Sequence, residues 1–185
     1  MRTLLGQRQI FGRSTFVFRV STRERGNVFM RVDRTGSESS PRAVVEIDAA
    51  KFLALWRAHP SSPHREVSSG NPSTWVQDYK FHDAEDGFRD GESNPVPLAD
   101  VGCHIDRAQR AVYERRLKFF KRLVGYETVE TPCAGFTDGV TRTIWLMAYG
   151  ATHFPVSCEA ADAPLLQKMA GLPDGRFKLV SELGL

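Results

Sequence analysis

The segment FTDGVTRTIWLMAYGATHFPV (136–156) most strongly limits the folds that are open to this chain. It contains a strand end, an Asp-Gly turn, an apolar helix that ends at Gly150, and a second strand that includes THFPV. Because two strands flank one short helix, the segment predicts a sheet with helices packed against it.

The N-terminal part of the sequence predicts a smaller layer made mostly of strands. Apolar and polar residues alternate over 14–21 and 27–33, which predicts an antiparallel hairpin. A third strand is predicted over 43–48, and Asp48 is placed to cap the helix that follows. The predicted order in this part is therefore β-β-β-α.

The second half of the sequence predicts strands that alternate with helices. The predicted elements are a strand over 74–82, an acidic turn over 83–93, a strand over 94–105, a helix over 106–124 with Asp106 as its N-cap and Gly125 just past its end, a strand through TPCAGFT, the helix and strand of the opening segment, and a short helix through DAPLLQKMAGL with Asp162 as its cap. This order favours an α/β or α+β fold.

The best internal boundary is the run between 59 and 73, which is rich in Ser, Pro and Gly. We therefore predict an accessory layer over 1–72 and a core over 73–185, joined in one compact unit.

Composition excludes several classes of protein. The formal net charge is +3 and the pI is about 8.9, which is compatible with an anionic partner. The sequence has no apolar run long enough for a membrane-spanning helix, and its first residues do not resemble a signal-peptide core. The three cysteines show no C-x-x-C spacing, so we expect reduced thiols in a cytoplasmic protein.

The Asp-Gly turn at 138–139 is a candidate anion site. Asp138 is expected to cap the helix, Gly139 to let a ligand approach the backbone, and Arg142 to supply a cation. The free N–H groups of Val140, Thr141 and Arg142, together with the helix dipole, favour an anion, and Thr141 and Thr143 add hydroxyls. An ordinary capped helix with an exposed arginine explains the same residues.

The predicted helix over 106–124 carries many cations. At about 100° per residue, six basic residues fall outside its apolar face, where they suit a nucleic-acid backbone or a plain solvated surface. These residues are Arg107, Arg110, Arg115, Lys118, Lys121 and Arg122. Arg116 falls inside the apolar sector, where a guanidinium needs a phosphate, a structural ion pair, or a path to the surface.

Two segments carry a resemblance to known families. DGVTRTIWLMAYGATHFPV resembles a segment of the ParB/sulfiredoxin superfamily, in which the Gly-x-x-Arg turn binds nucleotide phosphates. GFRDGESNPVPLADV (87–101) and GFTDGVTRTIWLMAYGATHFPV (135–156) are more closely similar to plasmid fertility inhibition factors of the Osa type. This resemblance implies a ParB/sulfiredoxin-like core preceded by the N-terminal strand layer.

The resemblance also implies a function. Such factors block the export of competing plasmids or T-DNA through type IV secretion, and are associated with ATP hydrolysis and DNA cleavage. Gly139, Thr141 and Arg142 would then contact the phosphates. Val140 stands where sulfiredoxins have their reactive cysteine, so reduction of sulfinic acids is not expected. A partner in the secretion machinery, such as a coupling protein, is implied together with DNA.

Hydrolysis of phosphate bonds requires an activated water and usually a divalent metal such as Mg²⁺. The acidic segment before the NPVPL strand, together with the turn, supplies the candidate carboxylates. We assign catalysis to Asp138, Glu92 and Asp90, and metal binding to Asp86, Asp90 and Glu92. The same residues also suit turn structure, and Asp138 suits a simple cap. The alternatives are therefore a non-catalytic module that binds nucleotide or DNA, and, more distantly, a CTP-binding regulator.

Overall fold

The structure is a computed structural model that describes residues 1–33, 40–58, 64–117 and 120–184, with side chains described at all of these positions except 115–117 and 121. Within this part of the chain, strands form two sheets and α-helices pack around them. The α+β class is confirmed, with a mixed sheet that carries helices and an N-terminal layer made mostly of strands.

The strands are β1 (Leu4–Ile10), β2 (Arg13–Thr22), β3 (Gly26–Asp33), β4 (Arg42–Asp48), β5 (Val96–Pro97), β6 (Asp100–Leu117), β7 (Phe120–Asp138), β8 (His153–Glu159) and β9 (Lys178–Leu179). The helices are α1 (Ala49–Ala58), α2 (Arg65–Ser69), α3 (Pro72–Trp75), α4 (Phe81–Arg89), α5 (Val140–Ala148) and α6 (Ala163–Ala170), with short 3₁₀ turns at Gly91–Ser93 and Val180–Glu182.

The first sheet has the strand order β1-β2-β3-β5. Strands β2 and β3 form the predicted antiparallel hairpin, with Phe18 opposite Met30. Strand β5 pairs in parallel with β3, and Met30 lies opposite Val96. This pairing places the segment before β6 beside the N-terminal hairpin.

The second sheet has the order β7-β6-β8-β4-β9. Its interior strand β4 pairs with β8 on one side and with β9 on the other, and Val44, Val45 and Ile47 are fully buried. Helices α1 and α6 pack against this sheet, while α3 and α4 pack on α5. The ring of Trp56 in α1 lies 4.8 Å from that of Phe136 in β7 in an edge-to-face contact.

Several predicted elements are confirmed. The hairpin, the strand at 43–48, and the helix and strand of the opening segment all form. Asp48 caps α1 as predicted, because its Oδ1 accepts a hydrogen bond of 3.0 Å from the Lys51 N–H. The division at residue 72 stays a prediction, and both sheets contain strands from both sides of that boundary.

The helix predicted over 106–124 is wrong. Residues 100–117 form β6, which pairs with β7 along nearly its whole length. Asp106 faces Thr131 in this ladder instead of capping a helix, and Gly125 lies opposite Val112 next to a register shift. Local helix propensity is a weak preference, and the strand pairing of 106–117 with 120–131 overrides it.

The strand predicted over 74–82 and the acidic turn over 83–93 are also wrong. Asn71 caps α3, accepting from the Ser73 N–H at 3.0 Å, and helix α4 then covers most of the acidic segment. Phe81, Ala84 and Phe88 are buried on one face of α4, at the spacing of a helix. The turn interpretation gave the glycines and acidic residues too much weight against this apolar spacing.

Candidate functional site

The turn before α5 is the structural centre of the candidate site. Gly139 has φ 90°, and a Cβ atom there would lie 2.6 Å from the Ala99 Cα and 2.7 Å from its Cβ. Glycine is therefore required because the start of α5 packs directly on the segment between β5 and β6. The predicted clearance is real, but it is used by the protein's own backbone.

Asp138 does not cap α5. Among the described residues, no side chain accepts a hydrogen bond from the first amides of this helix. The Asp138 carboxylate instead pairs with the Arg142 guanidinium, one turn further along. The first N–H groups of α5 are consequently left for water or a ligand, which strengthens the anion-site interpretation of this end of the helix.

Arg142 is held in place by two acceptors. Its Nη1 donates to the Pro97 carbonyl oxygen at 2.9 Å, and its Nη2 pairs with Asp138. The side chain is only 14% exposed, although Asp138 beside it is 73% exposed. The guanidinium is therefore a positioned cation at the helix N-terminus, whereas the sequence alone also allowed a freely exposed one.

A cavity of about 360 Å³ opens at this turn. Such a volume falls in the range of small-molecule sites. Its lining residues come from the turn and from three other parts of the chain: His64, Lys80, Asp83, Ala84, Val96, Thr137, Asp138, Gly139, Val140, Thr141 and Arg142. The start of α5 thus faces an open, concave pocket built from several parts of the chain.

Helix α4 contributes a second cation to the cavity. The ring of Phe88 stacks on that of Trp145 with centroids 4.4 Å apart, which fastens α4 against α5. Lys80, at the start of α4, and Asp83, one turn later, line the cavity together with His64. The sequence did not indicate Lys80 or His64 as site residues. The helical spacing of Phe81, Ala84 and Phe88 was a signal that would have placed Lys80 at a helix start, whereas His64 lies before α2 and is not placed by that spacing.

The predicted hydroxyls divide between the two sides of the helix. Thr141 lines the cavity and is half-buried. Thr143 is fully buried and does not line the cavity, and its Oγ1 has no hydrogen-bond partner among the described residues. The structure therefore brings Val140 and Thr141 to the candidate ligand, and leaves Thr143 in the core.

The carboxylates assigned to catalysis and metal binding lie apart from the cavity, except Asp138. Asp86 forms an ion pair of 2.7 Å with Arg89, and Asp90 accepts from the Asn94 Nδ2 at 2.8 Å. Glu92 lies 3.6 Å from Arg8. In the described part of the chain, no cluster of three His, Cys, Asp or Glu residues is arranged to hold a metal ion.

The residues predicted to face DNA lie along the β6–β7 hairpin instead of a helix. The Arg107 guanidinium pairs across the strands with Glu130 at 2.9 Å, and that of Arg110 lies 3.9 Å from Glu127. Arg122 is opposite Glu114, and the backbone of Arg115 is opposite that of Lys121. Lys118 lies outside the described residues.

The helical argument for Arg116 as a phosphate ligand no longer applies, because this residue belongs to β6.

The three cysteines are free and buried. Burial raises the pKa of Cys103 to about 12, and the nearby Asp162 carboxylate adds to the shift. The pKa of Cys158 is likewise raised to about 12, mainly by burial. Asp162 makes no capping bond to α6; its carboxylate accepts from the Cys103 N–H at 3.0 Å.

A family model supplies the identification. The model for the plasmid fertility inhibition factor matches residues 44–171, a span that contains most of β4, the residues that line the cavity, the β6–β7 hairpin and α5. The chain belongs to the plasmid fertility inhibition factor family. The family resemblance of the sequence is therefore confirmed. Membership implies an interaction with the machinery that transfers plasmids between cells.

A solved structure has the same fold. It is the crystal structure of an Oncogenic Suppression Activity protein, described as a plasmid fertility inhibition factor, with a TM-score of 0.65 and 23% sequence identity. The match covers 92% of this chain and 76% of that chain. No curated protein matches the sequence in a direct comparison. None of the helices in the described residues is long and apolar enough to cross a membrane.

Proposed function

We propose that this fertility inhibition factor binds ATP in the cavity at the start of α5 and hydrolyses it, and that it cleaves plasmid or T-DNA strands. By these activities, acting from the cytoplasm, it would block export through a type IV secretion system. The observation that carries the proposal is the uncapped N-terminus of α5 opening into a cavity lined by Arg142 and Lys80.

The charges of the cavity suit a polyphosphate chain. Arg142 is fixed at the helix end, and Lys80 approaches from α4. A guanidinium has five N–H donors, so Arg142 can keep its bond to the Pro97 carbonyl while it turns other donors toward phosphate oxygens. Binding would place phosphate in competition with Asp138 for the same cation.

The carboxylates allow a limited role for Mg²⁺. In nucleotide sites this ion is commonly held by one or two carboxylates together with the phosphates, and it neutralises charge as the phosphate bond breaks. Asp83 and Asp138 line the cavity and fit that part, since Asp138 would be released when Arg142 turns to phosphate. Asp86, Asp90 and Glu92 do not line the cavity, so water activation falls to Asp138 or Asp83.

The second candidate function is non-catalytic binding. In this alternative the same cavity holds a nucleotide without hydrolysing it. The protein then inhibits a secretion coupling protein by binding to that coupling protein. The dispersed carboxylates favour this possibility, because three of the residues expected to do chemistry are engaged in surface ion pairs or turn contacts.

The two candidates are separated by turnover. Purified protein is incubated with labelled ATP, Mg²⁺ and supercoiled plasmid DNA, and ATP hydrolysis and strand cleavage are measured beside equilibrium ATP binding. The first proposal expects binding, hydrolysis and nicking together. Binding without either reaction supports the non-catalytic alternative, and absence of binding contradicts both.

The variant Lys80→Met tests the site with little risk to the fold, because Lys80 is exposed and precedes α4. We expect weaker ATP binding and a higher plasmid transfer frequency from cells that express it. Arg89→Met is the matched control, since Arg89 ends the same helix and is paired with Asp86 away from the cavity. Equal ATP affinity in both variants would contradict the assignment of the cavity.

A further inference from the structure

The outer part of the β6–β7 hairpin lies outside the core. We define the arm as residues 105–117 and 120–131. None of its described side chains is buried, on either face of the two strands, whereas Val101, Cys103, Cys133 and Ala134 just below it are buried. At about 3.3 Å per residue the arm extends for roughly 40 Å.

The arm concentrates exposed apolar side chains. Six of the ten large hydrophobic residues that are exposed in the described part of the chain lie on it: Ile105, Tyr113, Phe120, Leu123, Val124 and Tyr126. Phe120 is 70% exposed and Tyr126 is 66% exposed. Apolar side chains stabilise a pair of strands little when both of its faces are exposed to solvent. Their clustering on the arm therefore indicates a surface that binds a partner.

Charge is distributed unevenly along the arm. At the end of the arm that adjoins the core, Arg107 pairs with Glu130 and Arg110 lies close to Glu127, so the charges there are balanced. Beyond them, the sequence from 111 to 126 contains one acidic residue, Glu114, and five basic residues: Arg115, Arg116, Lys118, Lys121 and Arg122. The outer end therefore combines an excess of positive charge with exposed apolar side chains.

This combination selects among the possible partners. A nucleic acid would match the cations and would stack on tyrosine or phenylalanine, but it offers no favourable environment to Leu123 and Val124. A second copy of the chain would bring two positive ends together. An anionic bilayer matches both features, since acyl chains accept the apolar side chains and anionic headgroups attract the basic ones.

We propose that the arm docks this protein on an anionic lipid surface. Phe120, Leu123 and Val124 enter the boundary between headgroups and acyl chains, and Arg122 contacts the headgroups. This role goes beyond the proposed function, because it requires no nucleotide. It would hold the inhibitor at the membrane in which a secretion apparatus is assembled, with the α5 cavity on a separate part of the fold.

The first test is binding of the whole protein to vesicles. We expect the protein to float with vesicles of mixed phosphatidylcholine and phosphatidylglycerol, and to remain unbound with pure phosphatidylcholine. The double variant Phe120→Ser/Leu123→Ser should lose binding, and Arg122→Gln should weaken it about fivefold, as is typical for one basic residue near an anionic surface.

Matched controls lie at exposed positions away from the arm. Phe11→Ser removes an aromatic side chain that is 77% exposed in the turn between β1 and β2. Arg8→Gln removes an exposed arginine that is paired with Glu92. Both should bind vesicles as the wild type does. Thermal unfolding of each variant shows whether any loss of binding arises from unfolding.

The second test places a probe in the arm. The three native tryptophans are buried, so V124W adds the one exposed indole of the described residues. We expect its emission to shift to the blue on phosphatidylglycerol vesicles, and to be quenched by brominated acyl chains.

Three outcomes would overturn the proposal. The first is no vesicle binding at low ionic strength, and the second is binding that the arm variants leave unchanged. The third is loss of DNA binding or of self-association in the arm variants while vesicle binding persists, which would assign the arm to nucleic acid or to a second copy. The ATP assays are independent, so either proposal can fail without the other.

Discussion

The α5 cavity and the arm use basic residues in opposite ways. Arg142 is 14% exposed and is bound to the Pro97 carbonyl and to Asp138, so its direction is set before any ligand arrives. Arg122 is exposed in the part of β7 that has solvent on both faces. A fixed cation at a helix end suits recognition of one small anion, whereas exposed cations on a long arm suit a broad anionic surface.

The largest expected contrast is in cysteine reactivity. Because burial raises the pKa of Cys103 and Cys158 to about 12, their thiolate fraction near pH 8 is about a thousandfold below that of an ordinary thiol. A cysteine introduced on the arm by V124C should react with iodoacetamide at the usual rate. Mass spectrometry of the native protein after brief labelling measures the difference; fast labelling of Cys158 would show that this part of the sheet opens.

The same thiols make stability depend on pH. In the folded state they keep their protons, while in the unfolded chain they release them above about pH 8.5. Their contribution is therefore complete below that pH and declines as the pH rises toward 12. Denaturant unfolding of wild type and Cys158→Ser across this range should show a weaker alkaline decline in the variant.

The next contrast is between two glycines. Gly139→Ala forces a Cβ atom into Ala99 at a positive φ, and we expect it to lower the free energy of unfolding by about 3 kcal/mol. Gly125→Ala on the arm meets no atom within 4 Å, and should change stability by less than about 0.5 kcal/mol. Equal effects in urea unfolding would show that the start of α5 is not tightly packed.

A smaller contrast is expected in nucleotide affinity. Lys80→Met should weaken ATP binding about tenfold, the loss of one charge-assisted contact. Arg122→Met, on the arm, should leave the dissociation constant unchanged because it lies outside the cavity. Isothermal titration calorimetry of both variants measures the dissociation constant for ATP. Weaker binding in Arg122→Met alone would show that the anion site lies on the arm and not in the cavity.

The smallest expected effect is the coupling free energy of the ion pair at the base of the arm. Arg107 and Glu130 are exposed by 71% and 52%, so a double-mutant cycle with Arg107→Gln and Glu130→Gln should give about 0.5 kcal/mol of coupling. A coupling well above 1 kcal/mol would indicate that this pair, and not the backbone ladder, holds the two strands in register.

Local patterns predicted much of the fold because some elements depend on neighbours in sequence. The hairpin at 14–33, the cap at Asp48 and the order of strand, turn and helix at 136–148 needed no distant contact to be recognised. The helix predicted over 106–124 failed for the opposite reason. Its residues favour a helix locally, but β6 pairs with β7 along nearly its whole length, and this ladder joins residues as far apart as Asp100 and Asp138.

The candidate site shows the same division. The sequence indicated Gly139, Thr141 and Arg142, since a helix start with free amides is a local feature. It did not indicate Lys80 and His64, which line the cavity, and it grouped Asp86, Asp90 and Glu92 with the turn although they do not line the cavity. Distances between separate elements decide which side chains share a cavity.

By itself, the sequence indicated the family through its resemblance to known segments, an α/β or α+β fold, and a candidate anion site at one helix start. Each of these depends on residue types at short spacing. Only the tertiary structure decided that Asp138 binds Arg142 instead of capping the helix, that Lys80 from α4 enters the same cavity, and that a basic segment forms an arm instead of a helix. These outcomes depend on pairing and packing between distant segments, whose combined free energy exceeds the local preferences of the chain.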